Sequence, residues 1–151
     1  MSNLILSIGL FLNQSELVRV AVLWLILGLP LWIWGMTHMG IGTLSTFGTH
    51  FGGFVVGMFA FSRIGGGRKT WLYSLLWFLL LQQVCRVFTQ PELNVNLAHR
   101  IYKGWESVFG AYWKYWAVNI ILAGISLWII GFILRKLWPP QAIGASNSAR
   151  K

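Results

Sequence analysis

The hydrophobic positions of this chain gather into four long runs separated by short polar breaks. About 20 consecutive apolar residues suffice for a helix to cross a bilayer core, so each run predicts a membrane span. The runs cover 17–36, 40–61, 70–88 and 115–134. Asn13, three residues before Glu16, reads as a capping pair for the first span. Pro30 lies inside that span and predicts a kink. The second run differs in kind. Gly48, Thr49, Gly52, Gly53 and Gly57 recur at helical spacing, and small residues so placed let two helix backbones approach closely. That row predicts a helix-packing interface. The run is also the least apolar of the four, so a re-entrant segment with only three true spans is the alternative.

The breaks carry their own signals. Arg63-Ile-Gly-Gly-Gly-Arg68-Lys69 predicts a cationic turn in contact with anionic headgroups. It is not a phosphate loop, because Arg68 stands where that motif needs glycine before its lysine. After the third span, Gln82, Gln83, Cys85 and Arg86 mark an interface, with Arg86 expected to snorkel toward headgroups. Leu93, Leu97, Ile101, Trp105 and Tyr112 recur at helical spacing through 92–114, which predicts an amphipathic helix leading into the last span. That span exits through Arg135-Lys136, then Pro139-Pro140. The first dozen residues are apolar but too few to span, and without a basic start or cleavage site they read as a short interfacial helix.

Together these patterns predict an all-α integral membrane protein. About four transmembrane helices and one extracytoplasmic amphipathic helix form a single polytopic domain over 1–138, followed by a disordered cytoplasmic tail over 139–151. With the N-terminus inside, Arg19, Arg63, Arg68, Lys69, Arg135, Lys136, Arg150 and Lys151 are cytoplasmic, against Arg86, Arg100, Lys103 and Lys114 outside. This bias favours both termini in the cytoplasm of a cell membrane, read as a bacterial inner membrane. The three-span alternative reverses the N-terminus.

Composition agrees with a lipid environment: 56% of the 151 residues are hydrophobic and only 10% charged. The net charge of +9 does not imply nucleic-acid binding, because the cations sit between apolar runs and form no basic face of a soluble module. The single cysteine, Cys85, allows no internal disulfide.

Chemistry is sparse. Glu16, Glu92 and Glu106 are the only carboxylates and lie outside the runs' centres, so no catalytic residue, metal site or enzyme activity is expected. His50 is the exception. An ionisable group in mid-span marks a ligand or proton site by default, against the plainer reading of a neutral imidazole bonded to a neighbouring helix. A haem would need two converging histidines, and His38, His50 and His99 give no such pair by spacing; no cofactor is expected. In layout alone, the C-terminal half with its Arg135-Lys136 exit resembles the membrane anchors of conjugative coupling ATPases, but no ATPase signature follows and no family is assigned. The expected function is a non-catalytic multi-pass subunit of a larger inner-membrane assembly for secretion, conjugation or transport. Its expected partners are membrane lipids and other transmembrane helices. The alternative is a homo-oligomeric channel or small transporter, with His50 and the glycine face lining the path.

Overall fold

The computed structural model describes residues 2–39 and 44–140, and the side chains of all these except His38, Met39, Leu44 and Ser45. Every regular element among them is helical: α1 (Ser2–Phe11), α2 (Ser15–Met39), α3 (Leu44–Ile64), α4 (Thr70–Phe88), α5 (Glu106–Phe109) and α6 (Tyr112–Leu137). Three helices, α2, α4 and α6, are long and apolar enough to cross a membrane, which marks the chain as a membrane protein. The start of the predicted second span (40–43) and most of the predicted tail (141–151) lie outside the described residues.

The hub of the bundle is α2. Val20, Ala21, Val22 and Leu23 are consecutive and all buried, so this stretch of helix is covered on every side. One side joins Ile5 and Leu6 of α1; the other joins Phe61 of α3 with Leu127 and Leu134 of α6. Trp24 ties in α4 by donating its indole N–H to the Ser74 carbonyl at 3.0 Å. The long helices alternate in direction, and α2 runs unbroken through Pro30.

Before α2, the chain turns back on itself. Gln14 N–H donates to Gly9 carbonyl at 2.8 Å and Asn13 N–H to Leu10 carbonyl at 3.2 Å. Asn13 is left-handed, with φ 53°. This is the Schellman ending of a helix, and asparagine tolerates that conformation. Asn13 therefore closes α1 instead of opening the next helix, which corrects its reading as a cap. The turn lays α1 in the groove between α2 and α3, antiparallel to the first and parallel to the second. Its ten residues rise about 15 Å, half the thickness of a bilayer core.

The predicted amphipathic helix over 92–114 is not formed. The segment holds two 3₁₀ turns, Pro91–Leu93 and Val95–Leu97, then irregular chain and the single turn of α5. Asparagine chemistry explains the break. Asn94 and Asn96 are left-handed (φ 42° and 52°), and Asn94 Oδ1 accepts the backbone N–H groups of His99 and Arg100 at 3.1 and 3.0 Å. A side chain that takes up backbone donors competes directly with the helix. Arg86, predicted to reach for headgroups, instead donates to Ala98 carbonyl (3.0 Å) and Tyr112 hydroxyl (2.9 Å), clamping this segment to α4 and α6.

Candidate functional site

Two features meet on α3: a row of small residues and a cleft beside its second turn. The row divides between inside and outside. Gly53 and Gly57 face inward. A side chain at Gly53 would run into the Asn3 carboxamide oxygen of α1, and a Cβ at Gly57 would stand 3.1 Å from Val22 Cγ2 and 3.2 Å from Leu25 Cδ1. These two glycines let α1 and α2 lie against the α3 backbone. Gly48 and Gly52 face away, and among the described residues a Cβ at either would meet nothing within 4 Å. Phe47, Thr49, Val55, Val56 and Phe59 are also exposed, Val55 and Phe59 each at 63%.

Thr49 and His50 sit where α1 begins. Asn3 Nδ2 donates to the Thr49 carbonyl at 3.0 Å, while Asn3 Oδ1 is buried with no hydrogen-bond donor among the described residues. Beyond this first turn of α1 the groove between α2 and α3 stays open as a cleft of about 320 Å³, lined by Ser2, Asn3, Trp24, Gly28, Thr49 and His50. His50 Nδ1 lies 2.9 Å from the Thr46 carbonyl. A carbonyl only accepts, so Nδ1 is the donor of this contact. The imidazole stacks on Trp32, centroids 4.4 Å apart and planes within 8°. The cleft thus offers an imidazole and hydroxyls between apolar walls, an arrangement suited to holding a small polar guest.

The cations predicted at one interface are brought together. Arg63 ends α3, Arg68 and Lys69 precede α4, and Arg135 and Lys136 end α6. The glycine turn between them is tightly enclosed. Gly65 is left-handed (φ 67°) with Pro139 carbonyl where a side chain would be, and Gly66 donates its N–H to Trp138 carbonyl at 2.8 Å. From the other side Arg19 donates to the carbonyls of Gly65 (2.7 Å) and Ile64 (3.0 Å), capping the end of α3. Glu16 pairs with Arg19 and accepts from the Thr70 hydroxyl at 3.2 Å. Sequence reasoning missed this network, though Glu16 and Arg19, one helical turn apart at the start of a span, were its available signal. It also missed Asn3 and Ser2. Their signal was a helix too short to span beside a glycine face in need of a neighbour.

Comparison with protein-family models, with curated proteins and with solved structures finds no significant match to this chain.

Proposed function

We propose that this chain is a non-catalytic subunit of a larger membrane assembly, acting by contact between α3 and transmembrane helices of other polypeptides. The observation that carries this reading is the outward face of α3. Gly48 and Gly52 stand one helical turn apart, and a Cβ at either would meet no atom of the described residues within 4 Å, with Val55, Val56 and Phe59 exposed further along. Lipid tails fill such a notch poorly, whereas a neighbouring helix gains dispersion and Cα–H···O contacts there. The positive-inside bias supports a four-span arrangement with both termini cytoplasmic and the cations of the glycine turn at that face. Extraction in mild detergent tests the reading: the chain is expected to co-purify with other membrane polypeptides, and recovery as a pure homo-oligomer would contradict it.

The cleft beside His50 favours a second reading, a homo-oligomeric channel or small transporter. Its imidazole, two hydroxyl side chains and an open groove are what a polar path through a bundle needs. On this reading His50→Phe spares folding and abolishes flux in reconstituted vesicles; unchanged flux would remove the imidazole from the path.

A further inference from the structure

We propose that the end of the bundle formed by residues 92–122 binds one zwitterionic aminophospholipid, a phosphatidylethanolamine, from the adjoining leaflet. Two clefts carry the inference. The first is an apolar cavity of about 490 Å³ between Trp34 of α2 and Val118 and Leu122 of α6, roofed by Trp105 and Phe109. This is within the size range of small-molecule sites, and its walls suit a hydrocarbon chain. The second cleft, about 360 Å³, holds both signs of charge: Arg100 and Lys103 with Glu92 and Glu106. Leu97 and Tyr102 line both clefts, so they join at a shared wall.

Depth sets the orientation. Val118 and Leu122 stand nearly two and nearly three turns into α6, while the charged cleft lies on the segment that precedes that helix. A lipid aligned with its leaflet therefore places its chain between α2 and α6 and its headgroup among the charges. Mixed charge selects the headgroup. The Lys103 ammonium has no protein partner among the described residues and suits a phosphate. Arg100 is steadied beside it by donating to Glu92 carbonyl at 2.7 Å. The Glu92 and Glu106 carboxylates suit the ethanolamine ammonium, which phosphatidylglycerol lacks.

Native mass spectrometry of the full chain in mild detergent, with phosphatidylethanolamine or phosphatidylglycerol added, tests the proposal. One phosphatidylethanolamine per chain is expected, retained about tenfold more tightly than phosphatidylglycerol. Val118→Trp, which fills the cavity, should abolish retention of both lipids. Lys103→Gln, at an exposed position that leaves the fold untouched, should weaken both, and Glu106→Gln should erase the preference between them. Equal retention of the two lipids by the unaltered chain, or undiminished retention by Val118→Trp and Lys103→Gln, overturns it.

Discussion

At the residue scale, neighbouring glycines of one helix carry opposite consequences. Gly57→Leu forces bulk against Val22 and Leu25 and should destabilise the fold by about 1–3 kcal/mol, the usual cost of overpacking. Gly52→Leu adds bulk where a Cβ meets no atom of the described residues within 4 Å. It should leave the isolated protein as stable or slightly more so, since leaving glycine in a helix gains about 0.5–1 kcal/mol, yet impair assembly. Gly53→Leu strikes Asn3 and so reports on the seating of α1. Thermal unfolding in detergent, read beside recovery of the assembled complex, separates the three. Arg19 is the other decisive residue: only 13% of its side chain is exposed, and it holds the last carbonyls of α3. Arg19→Ala should cost about 1–3 kcal/mol by leaving those acceptors unpaired, with Arg19→Lys intermediate because it lacks the planar fork. Equal stability of Arg19→Ala and the parent would remove the cap from the account.

At the scale of elements, long apolar runs were legible because a continuous apolar segment of about 20 residues can satisfy its own backbone in lipid only as a helix. The runs at 70–88 and 115–134 correspond to α4 and α6, the latter extended to Tyr112. The segment 92–114 was misread because periodicity records only which side chains are apolar. It carries no term for Asn94 drawing backbone donors to itself or for left-handed Asn96, Gly104 and Gly110. The partner that seats α1 was not legible, since the contact of Asn3 with Thr49 joins residues 46 apart. Gln82 gives a test of the clamp on this segment. It is fully buried, donates to Asn96 carbonyl at 3.1 Å and accepts the Trp116 indole N–H at 3.0 Å. Gln82→Leu strands both partners and should cost about 1–3 kcal/mol. Amide hydrogen exchange over 94–100 should rise while α2 stays protected; unchanged exchange there would show that Gln82 does not hold the segment.

At the scale of the molecule, α2 lies at the centre, packed with α1 on one side and with Phe61 of α3 and with α6 on the other, while α3 and α4 contribute to both clusters. The lipid-like faces belong to α4 and α6; the notched face belongs to α3, which packs on α1 and α2 and leaves Gly48 and Gly52 open. A molecule built this way has its self-contained side and its incomplete side on different helices. The central claim is that the incomplete side is completed by another polypeptide. A photo-crosslinking residue placed at Val56 and activated in intact membranes tests it most directly, with exposed Leu76 of α4 as the reference position. The account predicts an adduct between Val56 and a different membrane polypeptide, and none from Leu76. Adducts from Val56 to lipid alone, or only to a second copy of this chain, would contradict it.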